Sequence, residues 1–179
     1  MEVWKCNNCG NTITVQAPPE TCPSCKAKCD FVVRDLHFDA CIDYKGGNLR
    51  DGLKVHCPNG VDVYFDNTGG EVLAAALSRM NMWGRVSCCG VVSNYDTATP
   101  APGPAGVPGF LVTKRIRMEG FVVMDFYHRR REAEMALATW VEQGKIKAAV
   151  DVVEGFDKMP SALAGMFAGQ NRGKLMVRV

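Results

Sequence analysis

The sequence predicts an α/β chain: an incomplete parallel sheet with flanking helices, preceded by a small N-terminal metal ribbon. Three observations lead there. From residue 30 onward short apolar runs alternate with helical patterns, the mark of βαβ units. Two Cys-x-x-Cys knuckles, Cys6 to Cys9 and Cys22 to Cys25, stand ahead of that alternation. Apolar residues make up 47% and charged ones 22%, the balance of a chain that buries a core rather than one that stays disordered.

At 179 residues the chain suits one modest domain plus a small accessory module. A net charge of +2 is too small to argue for nucleic acid or a membrane surface as a partner, and the Arg129-Arg130-Arg131 triplet reads as a solvated helix start. No apolar run approaches the ~20 residues that cross a bilayer. Glu2 and Cys6 stand where a signal peptide would need an apolar core, so a cytoplasmic location is expected. Of the nine cysteines, four fall in the knuckles, which points to metal ligation in a reducing compartment and not to disulfides.

The knuckle spacing Cys-x2-Cys-x12-Cys-x2-Cys lets two tight turns each present a pair of thiolates to one tetrahedral ion, with Cys6, Cys9, Cys22 and Cys25 as the ligands. Between the knuckles Thr12 to Val15 reads as a short strand, and Ala17-Pro18-Pro19-Glu20 as a stiff connector. A unit of this size buries too little to fold alone, so the ion is part of its stability. Four thiolates suit either zinc, which is redox-silent, or iron, which carries one electron. Cys29 falls outside the pattern.

Along the remainder, Phe31, Val32 and Leu36 form a short helical face, and Ala40 to Tyr44 reads as a strand. Asn48 is the N-cap expected for a helix through Leu49, Leu53 and Val55. A strand over Val61 to Phe65 ends at Asp66-Asn67-Thr68-Gly69-Gly70, a helix spans Glu71 to Asn81, and Gly84 restarts the chain as a strand over Arg85 to Val92. Thr97 to Gly109, with four prolines and three glycines, is expected as an exposed irregular loop. A helical turn at Lys114 and Arg115, a strand over Met118 to Val123 and a helix from Arg130 to Gln143 closed by Gly144 follow. Ala148 to Glu154 reads as a strand, Asp157-Lys158-Met159-Pro160 opens a helix ending near Gly169, and Lys174 to Val179 forms the last strand.

Four of these segments carry a resemblance: Phe38-Asp39-Ala40-Cys41-Ile42-Asp43-Tyr44-Lys45, Gly60 through Gly70, Lys114-Arg115-Ile116-Arg117-Met118-Glu119-Gly120-Phe121, and Asn171-Arg172-Gly173-Lys174. Together, from about Lys28 to the C-terminus, the chain resembles the cofactor-binding half of the NADP-dependent alkenal and prostaglandin double-bond reductases of the medium-chain dehydrogenase/reductase superfamily. Its first residues resemble a rubredoxin-like ribbon, with Trp4 before the first knuckle and Gly10 after it, although Lys26 replaces the second knuckle's usual glycine, which inclines the metal toward zinc.

The resemblance implies a Rossmann-like sheet and an oxidoreductase in which NADPH delivers hydride to the β-carbon of a small α,β-unsaturated aldehyde or ketone. Carried over residue by residue, Lys28 and Tyr44 match positions at the 2′-phosphate, and Asn67 one that bonds ribose or nicotinamide at the carboxyl edge of the sheet. Cys89, Gly90 and Ser93 line the cofactor, and Tyr95 offers a proton or hydrogen bond to the developing enolate, which makes it the candidate catalytic residue. Phe121, Val122 and Val123 match a segment whose backbone meets the nicotinamide amide, with their side chains expected in strand core. Asn171 matches an asparagine near the nicotinamide.

These readings divide the chain into a ribbon over 1–29, a partial NADP-binding domain over 30–147, and a strand-helix-strand over 148–179 that in the family returns to the catalytic domain. That catalytic domain and the glycine-rich pyrophosphate turn have no counterpart among these residues, Gly46-Gly47 and Gly69-Gly70 lying outside the expected context. In the family the strand equivalent to 118–123 lies at the sheet edge and pairs with its copy across a two-fold axis, so the resemblance implies a possible homodimer there. The other reading of the same residues is a metal-binding or electron-transfer ribbon on a non-catalytic reductase remnant.

Metal analysis on the purified chain is expected to find one zinc or iron per molecule. Removing it with a chelator is expected to unfold the first thirty residues, read as loss of amide protection confined to that segment.

Overall fold

The computed structural model describes the backbone of residues 2–5, 12–15, 23–44, 49–95, 97–100 and 103–179, with side chains from residue 28 onward in those stretches. In chain order the elements are β1 (Glu2–Lys5), β2 (Thr12–Val15), α1 (Pro23–Arg34), α2 (Leu49–His56), β3 (Val61–Asp66), α3 (Gly70–Arg79) and β4 (Met80–Cys88). There follow α4 (Val107–Lys114), β5 (Arg117–Gly120), α5 (Arg130–Glu142), β6 (Val150–Glu154), α6 (Met159–Phe167) and β7 (Lys174–Arg178), with 3-10 turns at Val92–Asn94, Val123–Arg129 and Phe156–Lys158. They fall into two compact units, one of Met1–Asp43 with Glu132–Val179, the other of Tyr44–Arg131.

In the first unit β1, which the sequence patterning does not announce, pairs antiparallel with β2 and sets Trp4 opposite Ile13. Pro23 opens α1, at the helical position where a missing N–H is harmless. The second knuckle therefore ends inside a helix instead of in a tight turn, with Cys25 in its first turn. Cys6, Cys9 and Cys22 lie outside the described residues. Ala40 to Tyr44 is not a strand. No described strand runs beside it, so its N–H and C=O groups have no ladder to join. At the other end of the unit β6 and β7 pair in parallel, Val152 against Met176. Asp151 Oδ2 braces the turn before β7 by accepting from Arg172 N at 2.5 Å and Gly173 N at 2.9 Å, which holds its carboxyl below the ordinary carboxylate range. A side chain at Gly173 would drive a Cβ to 2.3 Å from Ala149 O, so only glycine fits there.

The second unit is built on the parallel sheet β3-β4-β5. One face carries the core: Leu73, Leu77, Met80, Val86 and Ile116, with Tyr64, Cys88, Phe110, Leu111 and Met118 packed against them. The apolar spacing of α3 delivers Leu73 and Leu77 to that face, and Leu77 is fully buried.

Several boundaries differ from expectation, each for a tertiary reason. The chain passes from α3 into β4 at Met80, without the restart expected at Gly84. Lys114 makes this abrupt junction possible, because its Nζ donates to the carbonyls of Ser78 and Met80 at 2.8 Å each and of Leu77 at 3.3 Å, satisfying the end of α3. Burial, and then the nearby Arg79 charge, lower the pKa of that ammonium. β4 absorbs the extra residues as an irregularity between the pairs Val61–Met80 and Val63–Arg85. It ends at Cys88 and not at Val92, because Cys89 and Gly90 turn their N–H groups back to Asp66 O. β5 ends at Gly120, short of Val123, since Phe121 N→Cys88 O is the last bond that β4 can accept. α4 begins inside the expected loop: Pro108 lies in its first turn, where proline is tolerated, while Pro100 and Pro104 remain outside the helix.

Truncating Leu77→Ala is expected to destabilise the second unit by about 2–5 kcal/mol in urea titrations. Lys114→Met, which leaves three carbonyls without their donor, is expected to lose about 1–3 kcal/mol with little change in buried volume.

Candidate cofactor site

Two loops meet beyond the carboxyl ends of β3 and β4, the edge at which parallel sheets bind ligands. Asp66, the last residue of β3, is 2% exposed. Its Oδ1 accepts from Tyr64 Oη at 2.9 Å, Thr68 N at 3.2 Å and Gly69 N at 3.0 Å, so a buried carboxylate folds the loop around itself. Burial, then the Asp66 bond and charge, push the Tyr64 phenol well above its ordinary value, and burial followed by the Asp66 charge raises the Cys88 thiol.

The backbone of the same loop receives the loop after β4. Cys89 N and Gly90 N donate to Asp66 O at 2.7 and 3.3 Å, Val92 N to Asn67 O at 3.0 Å, and Ser93 N to Thr68 O at 3.1 Å. This stitching brings Asn67, Cys89, Gly90 and Ser93 together. A Cβ on Gly90 would stand 2.5 Å from Asn67 Oδ1, so the absence of a side chain there lets the Asn67 amide lie across the backbone. No described residue partners that amide. Tyr95 closes the 3-10 turn with its N–H on Val92 O and is 63% exposed, its hydroxyl unpartnered among the described residues.

Gly69 caps α3 and Gly70 opens it, with φ of 71° and 54°, at the turn from β3 into the helix. Val91 and Ser93 pack against them: a Cβ at Gly69 would meet Val91 Cγ2 at 2.9 Å.

Phe121, Val122 and Val123 are not strand core. Val122 and Val123 are 52% and 59% exposed and lie past the end of β5. Phe121 instead joins an aromatic run, with Phe65 on one side and Phe126 on the other, each at 6.2 Å between ring centroids. The rings of Phe121 and Phe126 line an open groove of about 600 Å³ together with Val63, Arg85, Ser87, Arg117 and Glu119. Sequence reasoning passed over Phe65, Phe126 and this groove. The signal was present in Val61-Asp62-Val63-Tyr64-Phe65-Asp66, a strand with apolar residues on both faces.

Tyr44 is the first residue of this unit and half exposed. Lys28 and Asn171 belong to the other unit, where Lys28 Nζ donates to Gly169 O and Asn171 Nδ2 to Gly173 O at 2.8 Å. Among the described residues no three His, Cys, Asp or Glu side chains converge as metal ligands, and no helix is long and apolar enough to cross a membrane.

Residues 36–177 match the family model described as zinc-binding dehydrogenase, and residues 4–31 match that of the rubrerythrin, rubredoxin-like domain. The chain is 35% identical to the NADPH-dependent curcumin reductase of Escherichia coli over 85% of its own length and 45% of that protein's. With prostaglandin reductase 1 of Mus musculus it shares 40% identity over 82% of this chain and 45% of the relative. Among solved structures, CurA from Vibrio vulnificus in complex with NADPH superimposes with a TM-score of 0.78 at 36% identity, covering 86% of this chain and 47% of that one. The chain thus spans about half the length of the curated relatives it matches.

The raised Tyr64 pKa has a definite sign. The folded state keeps this proton where the unfolded chain loses it, so the contribution is complete below the ordinary value of 10.0 and is lost as pH rises beyond it. Unfolding free energy is therefore expected to fall with pH above 10.0, and Tyr64→Phe to flatten that slope in urea titrations.

Proposed function

Because this chain belongs to the zinc-binding dehydrogenase family, we propose that it binds NADPH at the two-loop cradle beyond β3 and β4. There it serves the reduction of the carbon–carbon double bond in a small α,β-unsaturated aldehyde or ketone. The observation that carries this reading is the apposition of Asn67 and Gly90. A side-chain amide with no described partner lies beside bare backbone, in a cradle that any Cβ would fill. That fits a flat, polar, amide-bearing ligand at a sheet's carboxyl edge.

When bound, NADPH supplies the hydride. The chain's own residues bind, orient and hold the proton. Asn67 offers both donors and an acceptor to ribose or carboxamide, while Cys89, Gly90 and Ser93 wall the loop. The Phe121 N–H is committed to Cys88 O, which leaves a carboxamide to its carbonyl and to the main chain of Val122 and Val123. Tyr95, exposed at the rim, is the proton donor to the substrate oxygen. Tyr44 is proposed as a phenol donor to the 2′-phosphate; Lys28 and Asn171, in the other unit, match by family likeness positions at the 2′-phosphate and the nicotinamide.

The ribbon's donor set, four thiolates as two knuckles, fits a single tetrahedral metal. Zinc is proposed over iron, as a structural ion. The chain is placed in the cytoplasm. A second copy is proposed to pair along the outer edge of β5, which faces no strand among the described residues.

Titrating the full chain with NADPH is expected to enhance or quench its fluorescence, with NADH binding at least about tenfold more weakly. Gly90→Ala is expected to weaken NADPH binding by about tenfold or more, by displacing Asn67. Tyr95→Phe is expected to leave binding intact and slow reduction of a 2-alkenal by at least about tenfold. No response at millimolar NADPH overturns the reading.

A further inference from the structure

Cys29 and Cys41 bring their sulfur atoms within 2.7 Å of each other, although they stand 12 positions apart in the chain. Both are free, partly buried thiols. The approach is built by the fold. Cys29 sits on α1, and the chain then doubles back through a turn in which Asp35 N and Leu36 N donate to Phe31 O and Phe38 N to Val32 O. His37 takes a φ of 60° to make that reversal. Among the described residues the returning segment pairs with no strand, so Cys41 is free to make the small movement that separates this contact from the ~2.05 Å of a bond.

We propose that Cys29 and Cys41 are a reversible disulfide site, closed by exchange with a small disulfide of the glutathione class. The Cys41 sulfur attacks one sulfur of the oxidant, whose S–S bond breaks; the departing thiolate takes up the proton that Cys41 has lost. The Cys29 sulfur then attacks Cys41 in the mixed disulfide. The second thiolate leaves and takes up the Cys29 proton. Two protein thiols are oxidised by two electrons, and one small disulfide is reduced to two thiols.

The order follows from the surroundings of Cys29. Burial, the Cys41 bond and charge, and the carboxylates of Asp43 and Asp30 push its thiol up to about 12, which makes it the poorer opening nucleophile. Capping Cys41 removes that residue's bond and charge and frees Cys29 for the closing step. The bond would pin α1 to the segment that ends at Asp43, the last residue of the unit before Tyr44.

The test uses the full, metal-loaded chain, reduced and then equilibrated in mixtures of reduced and oxidised glutathione, quenched in acid, alkylated and mapped by mass spectrometry. A fragment joining Cys29 to Cys41, lighter by about 2 Da and reopened by dithiothreitol, is the expected result. Glutathione adducts that accumulate at Cys41 with no joined fragment overturn the proposal, as does pairing of either cysteine with one of the ribbon.

Discussion

The carboxylate of Asp66 is the interaction on which the second unit's ligand edge depends. Withdrawing a carboxylate to 2% exposure is costly unless its oxygens are bonded, and here one oxygen accepts three donors. Two of these are main-chain groups of the loop itself, so desolvating the charge and folding the loop are a single event. The residue's own carbonyl then receives Cys89 N and Gly90 N, which fixes the neighbouring loop by the same residue. Loss of that carboxylate would strand donors from Tyr64, Thr68 and Gly69 together. The approach of Asn67 to Gly90 is a downstream consequence.

A parallel sheet needs cover on both faces, because crossover helices ordinarily supply it. In this unit α3 and α4 supply one face, and the other shows Val63 and Phe65 at 59% and 60% exposure beside the rings of Phe121 and Phe126. The rings are spaced for tilted and edge contacts, which hold them in a row without a helix above. Arg85, Arg117 and Glu119 line the same groove as Val63, Phe121 and Phe126, so it combines aromatic and aliphatic surface with charge. That combination suits a ring system bearing polar substituents.

Where an element is set by its own periodicity, the sequence was a sufficient guide. α2, β3, α5, α6 and β7 fall where the apolar spacing and the Gly144 and Gly169 stops put them. Where another element decides, it was not. The start of β4 depends on Lys114, thirty-four positions from Met80, and the ends of β4 and β5 depend on which carbonyls remain to be bonded. Ala40 to Tyr44 has strand composition and no partner strand, and composition does not report partners. The site shows the same division. Family likeness assigned Asn67, Gly90 and Ser93 to the cofactor without saying how they meet, which the stitched loops show, while Phe121 was expected in a core that the sheet does not enclose on that side. Gly69 and Gly70 were bracketed by an expected strand and helix from the start; their positive φ and the packing of Val91 and Ser93 on them came only with the tertiary structure.

The first forty-odd residues hold two kinds of thiol that composition alone would merge. Cys6, Cys9, Cys22 and Cys25 carry metal-ligand spacing, and a thiolate bound to a metal has its lone pair engaged and its charge neutralised, which lowers its reactivity toward small disulfides. Cys29 and Cys41 have no such spacing; what distinguishes them is a chain reversal that places one sulfur against the other. A metal in the ribbon would therefore protect the four ligands while leaving this pair as the reactive one. Lys28, which the family likeness assigns to the 2′-phosphate, directly precedes Cys29 on α1. Its ammonium already rests on Gly169 O, two residues beyond the end of α6.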